Sequence, residues 1–164
     1  MRANKWKSVL CLGNGPSLEP HALAYAGFKV VALDISPLAT EIASAWTPSP
    51  KMLARAVGGR SKGRGGSVTL VTGDLRDPGV CPGPFDVIIE RRTLQLFYEE
   101  ELPGAMKAVA DRLASPGIFL SHSHRNRGAE GMSQAGWFRA QGWPFWSSTT
   151  PLTSKTAWLV STSG

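Results

Sequence analysis

The feature that most restricts the fold of this chain is a set of short runs that are apolar at every position. Val9-Leu10-Cys11-Leu12, Val30-Val31-Ala32-Leu33 and Val87-Ile88-Ile89 show no polar alternation. Successive side chains of a strand point to opposite faces, so runs of this kind belong to strands covered on both sides, as in parallel sheets. Stretches of helical periodicity lie between them. Ser17 to Ala26 reads as a helix ended by Gly27. Ser36-Pro37 reads as an N-cap with proline at the first helical position, followed by a stripe of Leu38, Ile42 and Ala45. Glu99 to Leu113 places Leu102, Met106, Val109 and Leu113 on one face, and Ser115-Pro116-Gly117 stops it. Strands are predicted at Val9–Leu12, Lys29–Leu33, Val68–Val71, Phe85–Ile89, Ile118–His122, and about Phe145–Ser148 and Thr156–Ser161, with a helix over Ser133–Gln141. The pattern predicts an α/β fold over residues 1–164 as one domain. It is a three-layer α-β-α sandwich on a seven-stranded, mostly parallel sheet, with an antiparallel hairpin at the C-terminus.

Charge is concentrated. The formal net charge is +6, and Lys51, Arg55, Arg60, Lys62 and Arg64 fall in one glycine-rich segment without an acid. Periodicity fails from Thr47 to Ser67, which reads as a long basic loop with at most one helical turn around Met52 to Val57. Cys11 and Cys81 make neither a disulfide framework nor a metal site. No apolar run approaches the roughly 20 residues of a membrane span. The stretch Val9 to Leu12 is too short for a signal peptide, so the chain reads as cytoplasmic.

Ligands of such sheets bind at the carboxyl ends of the strands, and the candidate chemistry lies there. Gly13-Asn14-Gly15-Pro16 follows the first strand, where glycine lets the backbone turn tightly and approach a ligand. Asp34 closes the second strand 21 residues after Gly13, where a carboxylate can accept both hydroxyls of a ribose. Asp74 follows the third strand and is placed to accept the amino group of an adenine. A nicotinamide-binding domain requires a third glycine where Leu18 stands.

In order along the chain, these segments resemble the class I S-adenosylmethionine-dependent methyltransferases. Val9 to Ser36 is similar to their first two motifs, Gly73-Asp74-Leu75 to their adenine turn, and Phe85 to Ile89 to the strand entering their active site. Ser115-Pro116-Gly117-Ile118-Phe119 is similar to their Pro-Gly-Gly turn and fifth strand. The resemblance implies S-adenosylmethionine as cofactor, held by Gly13, Asn14, Gly15, Pro16, Asp34, Ile35, Asp74, Leu75 and Glu90. Departures occur at Cys11, where the family usually carries an acid, at Ser17 in place of a third glycine, and at Ile118 in place of the second glycine of the turn.

Methyl transfer requires an aligned nucleophile and, for some acceptors, removal of a proton. Glu90-Arg91-Arg92-Thr93 stands at the expected place, and the Asn/Asp-Pro-Pro-Tyr/Phe motif of base- and protein-modifying relatives is absent. Glu90-Arg91-Arg92 resembles the acid-Arg-Gly stretch of the thiopurine methyltransferase-like branch, with Arg92 in place of the glycine, which implies a small, soft nucleophile as acceptor. Glu90 is a candidate base or cofactor contact, Arg91 and Arg92 can neutralise an anionic acceptor, and His122 or His124 suits general-base work. Two histidines without placed acids make no metal site. Trp137, Trp143, Trp146 and Trp158 are expected in the core or as an acceptor wall. The leading expectation is a methyltransferase acting on a small molecule. The alternatives are an RNA-directed enzyme using the basic segment on phosphates, and a non-catalytic methyltransferase-like partner subunit.

Overall fold

The computed structural model describes residues 6–58, 64–124, 145–149 and 155–162, with side chains through residue 122. Its elements are β1 (Ser8–Leu12), α1 (Glu19–Tyr25), β2 (Lys29–Asp34), α2 (Pro37–Ala45), α3 (Pro50–Ala56), β3 (Ser67–Thr72), β4 (Phe85–Arg91), α4 (Leu102–Arg112), β5 (Leu113–His124), β6 (Phe145–Thr149) and β7 (Lys155–Thr162). They form one seven-stranded sheet in the order β3-β2-β1-β4-β5-β7-β6. The first five strands pair in parallel, whereas β7 runs antiparallel to both β5 and β6. The helix expected over 133–141, with Trp137 and Trp143, lies outside the described residues, as do the side chains of His124, Trp146 and Trp158.

The unbroken apolar run of β1 is explained by its central place. Val9 and Cys11 face one side, packing with Ala24 of α1 and with Val30, Ala32 and Val87. Leu10 and Leu12 face the other, packing with Leu33, Ile88, Phe119 and with Met106 and Val109 of α4. Both positions of each pair are buried to 2% exposure or less, and a fully buried side chain of this size contributes about 1.5–3 kcal/mol. Burial also pushes the Cys11 thiol up to about 12, so it is an inert core residue. At the amino ends of β1 and β4, Asp86 accepts hydrogen bonds from the Lys7 N–H at 2.8 Å, the Ser8 N–H at 2.9 Å and the Ser8 hydroxyl at 2.9 Å. That contact pins the central register at the edge away from the ligand side.

Three sequence expectations change. Residues 47–67 are not one loop: α3 is a helix of seven residues. Its Ser49 hydroxyl caps the Met52 N–H at 3.3 Å ahead of Pro50, repeating the Ser-Pro signal that opens α2 at Ser36. The fourth helix begins at Leu102 rather than Glu99, because Pro103 occupies its first turn and Glu101 is the boundary residue. Leu113, read as its last core position, instead opens β5. Its register against β4 jumps from Phe85↔Leu113 to Val87↔Ile118, so Ala114 to Gly117 bulge from the ladder.

The buried Arg112 at the end of α4 donates to the carbonyls of Ala108, Asp77, Val80 and Cys81 at 2.6–3.0 Å. It thereby ties α4 to the turn after β3, and a buried cation is tolerated because its donors are satisfied.

Candidate active site

Strand order reverses between β1 and β4, since β2 and β3 extend to one side and β5 to the other. The connections after β1 and β4 therefore diverge and leave a crevice at their carboxyl ends. A cleft of about 320 Å³ opens there. It is lined by Leu12, Gly13, Leu33, Asp34, Ile35, Gly73, Asp74, Leu75, Arg76, Arg91, Arg92, Thr93, Leu96, Phe97 and Glu101.

Gly13 is required by two facts. Its φ is +56°, and a Cβ there would collide with the side chain of Thr93. Thr93 consequently reaches across the switch point and donates its hydroxyl to the Leu12 carbonyl at 3.0 Å. Gly15 also has a positive φ, +51°, with open space around it. In the same loop the Asn14 side-chain amide donates to the Gly15 carbonyl. The Asn14 Oδ1 and Ser17 Oγ atoms are buried without a hydrogen bond among the described residues. Pro16 is exposed, and neither it, Asn14 nor Gly15 is a wall of the cleft.

Asp34 is the hub of the loop. One carboxylate oxygen accepts the Gly15 N–H at 2.8 Å and the other the Ser36 N–H at 2.9 Å. Two of its roughly four lone-pair directions are thus used within the described residues. Ile35 beside it is 68% exposed and Leu96 across the cleft 76% exposed, so two large apolar side chains flank an opening instead of packing in the core. Asp74 lies on the same rim but is held by Arg76, whose hydrogen bonds and charge keep the Asp74 carboxyl below the usual carboxylate range.

Glu90 is where expectation and geometry part. The sequence pattern places it after the fourth strand, yet it is the penultimate residue of β4. It shares a face with Ile88, is only 1% exposed and does not line the cleft. Its carboxylate accepts the Thr93 N–H at 2.9 Å, the Leu94 N–H at 3.3 Å and the Ser121 hydroxyl. Burial pushes its pKa up, and these bonds pull the other way. Glu90 therefore builds the turn that carries Arg91, Arg92 and Thr93 and does not reach the cleft as a base or cofactor contact. Arg91 and Arg92 are exposed on the rim. Arg92 stands in left-handed backbone at φ +68°, held by its N–H to the His122 carbonyl at 2.9 Å. His122 pairs with Arg91 in register, and its side chain is not a wall of the cleft.

Gly13, Asp34, Ile35, Asp74, Leu75 and Arg91 are thus brought together as the sequence suggested. Arg92 and Thr93 of the stretch singled out after the fourth strand line it as well, whereas Arg76, Leu96, Phe97 and Glu101 were missed. The last three come from the 94–101 connection, which has no periodicity to single it out and is placed by packing on α4 and Leu75.

No curated protein matches the chain in sequence. Solved structures share its fold. A TehB-like S-adenosylmethionine-dependent methyltransferase from Corynebacterium glutamicum superposes with TM-score 0.70 at 16% identity, covering 99% of this chain and 83% of that one. A magnesium protoporphyrin IX methyltransferase (ChlM) from Synechocystis, solved with bound S-adenosylmethionine, gives TM-score 0.67 at 18% identity, covering 94% and 69%. An S-adenosylmethionine-dependent methyltransferase from Clostridium acetobutylicum gives TM-score 0.69 at 13% identity, covering 97% and 85%. The methyltransferase domain model matches residues 10–121, from β1 through the strand that pairs with the cleft's own β4. With the glycine turn, Asp34 and the switch-point cleft all inside that span, the chain belongs to the methyltransferase domain family.

Proposed function

We propose that this chain is an S-adenosylmethionine-dependent methyltransferase acting on a small anionic or soft nucleophile. S-adenosylmethionine is its cofactor, and the residues present fit it. The observation that carries the reading is the cleft at the β1/β4 switch point, where the Gly13 turn lines one wall, Asp34 offers acceptors for ribose hydroxyls, and Ile35 and Leu96 supply an apolar rim. Asp34, on the wall of that cleft, accepts only the Gly15 and Ser36 N–H groups among the described residues and so keeps acceptor capacity for a ligand hydroxyl. When bound, the cofactor supplies an electrophilic methyl on sulfur, so the protein's part is to align the acceptor and exclude competitors.

The acceptor side is set by what the rim carries. Arg91 and Arg92 provide positive charge without an ion pair among the described residues. Glu90 is enclosed, and Asp74 and Glu101 are both engaged by Arg76. A nucleophile that arrives already ionised, such as a thiolate or carboxylate, needs no carboxylate base and is favoured by two guanidinium groups. This supports the soft-nucleophile reading while removing Glu90 from the acid-Arg pair as a reacting group. No described helix is long and apolar enough to cross a membrane.

Calorimetric titration of the purified protein with S-adenosylmethionine tests the cofactor, and transfer of labelled methyl to small thiols and carboxylates tests the acceptor. Arg91→Ala is expected to raise the acceptor KM about tenfold. Transfer to RNA in preference to every small acid would refute the small-molecule reading. Folded protein that binds no cofactor would point to a non-catalytic partner subunit.

A further inference from the structure

Among the described residues, the three most exposed large apolar side chains belong to the two segments that flank the cleft. Leu96 is 76%, Tyr98 73% and Ile35 68% exposed, and Leu96 and Ile35 are walls of the cleft. Leu96 owes its position to a single turn of 3-10 helix, Leu94–Leu96, closed by its own N–H on the Thr93 carbonyl at 3.0 Å. The turn buries Leu94 and leaves Leu96 outside. Arg91 and Arg92 stand immediately ahead of it. Both are exposed walls of the same cleft, with no ion pair among the described residues. The stretch Arg91 to Leu96 thus sets two free cations and one bare aliphatic side chain on one lip. Beyond it, Glu99 and Glu100 are exposed but do not line the cleft, and Glu101 is engaged by Arg76.

A lone exposed leucine needs no explanation, but one placed beside unpaired guanidinium groups on a ligand cleft has a use. The size of the cleft decides which. At about 320 Å³ it lies near the lower end of the roughly 300–1,000 Å³ of ligand sites. With the cofactor inside, little enclosed space remains, and the acceptor lies mainly over the lip. A wholly polar anion would leave Leu96 in water there, and a neutral apolar molecule would leave both guanidinium groups unused. We infer that the acceptor is an amphiphilic anion, an ionised carboxylate or thiol on a hydrocarbon body of several carbons, with its charged end at Arg91 and Arg92 and its body against Leu96. Transfer forms an oxygen–methyl or sulfur–methyl bond as the methyl–sulfonium bond breaks. The negative charge of the acceptor and the positive charge on sulfur cancel, and no proton moves. The methylated product has then lost the charge that held it to the lip. The inference rests on the cofactor reading above and narrows its acceptor to one chemical class.

Calorimetric titration of the protein saturated with S-adenosylhomocysteine, using butanoate, hexanoate and octanoate as probes, tests it without turnover. Affinity is expected to rise about tenfold from butanoate to octanoate, less than full burial of the added methylenes would give, because the lip is open. Leu96 is exposed, so Leu96→Asn should fold normally. It should cut that rise to below about threefold while leaving butanoate within about twofold of wild type. Replacing Arg91 and Arg92 together by Ala should weaken all three probes about tenfold and leave the dependence on length unchanged. Affinity independent of chain length, or a rise that survives in Leu96→Asn, overturns the inference. So does octanamide binding as tightly as octanoate, or a saturated protein that binds none of the three acids. Folded protein that fails to bind S-adenosylhomocysteine refutes the cofactor reading, and the inference with it.

Discussion

Asp34 and Asp74 occupy comparable places, one closing β2 and the other two residues past β3 on the neighbouring strand. Both accept the main-chain N–H two residues on, from Ser36 at 2.9 Å and from Arg76 at 2.8 Å, so both close the same local Asx turn. Their fates diverge at that second residue. The Ser36 hydroxyl turns away to cap the Ala39 N–H of α2 at 3.2 Å, leaving the Asp34 carboxylate to Gly15 and the cleft. The Arg76 side chain folds back and donates from Nε and Nη2 to the Asp74 carboxylate. Identical backbone motifs thus present one carboxylate held by main-chain N–H groups and one paired with a guanidinium. The side chain at the third position of the turn makes the difference.

The comparison breaks most readily at Asp34. Asp34→Ala is expected to lower S-adenosylmethionine affinity about 100-fold, or about 2.7 kcal/mol, against only several-fold for Asp74→Ala, both read by calorimetry. Equal losses would put both aspartates on the cofactor.

A third carboxylate extends the contrast to a fully enclosed case. Glu90→Ala leaves the Thr93 and Leu94 amides and the Ser121 hydroxyl without their acceptor, at a cost of about 2 kcal/mol in urea unfolding, whereas Glu90→Gln should cost less than about 1 kcal/mol. Its pH dependence runs opposite to that of Asp74. Burial raises the Glu90 pKa in the folded state above the ordinary 4.5, so the folded protein holds that proton more tightly. Its favourable contribution is complete below about pH 4.5 and is lost as pH rises through the folded value. Asp74, lowered by Arg76 from 3.8, contributes above that value and loses its contribution as pH falls through the folded one. Stability profiles of Glu90→Gln and Asp74→Ala against wild type should therefore diverge in opposite directions, and parallel profiles would refute the assignment.

The smallest effect is expected at Arg92. Glycine at this φ of +68° relieves a left-handed side chain, so Arg92→Gly should raise stability by about 0.5 kcal/mol while weakening an anionic acceptor. A destabilised variant would mean that the Arg92 side chain is anchored by packing rather than held at the rim.

What the chain determined by itself follows from short-range rules. Parallel strands buried on both faces must be apolar throughout, so β1, β2 and β4 announce themselves. Turns needing positive φ call for glycine, and a strand-closing acid such as Asp34 is visible by position. The Ser49-Pro50 start of α3 was equally visible but lay within a basic, glycine-rich segment that masked it. Tertiary structure decided the rest. Extending β4 by two residues carried Glu90 inward and left Arg91 on the rim, because alternation along a strand gives adjacent residues opposite faces. The contacts of Arg76 with Glu101 and Phe97, residues 25 and 21 positions further along, exist only because the fold brings them to the same rim. Whether a carboxylate is available depends on how many donors surround it in space, and local sequence supplies only the nearest of them.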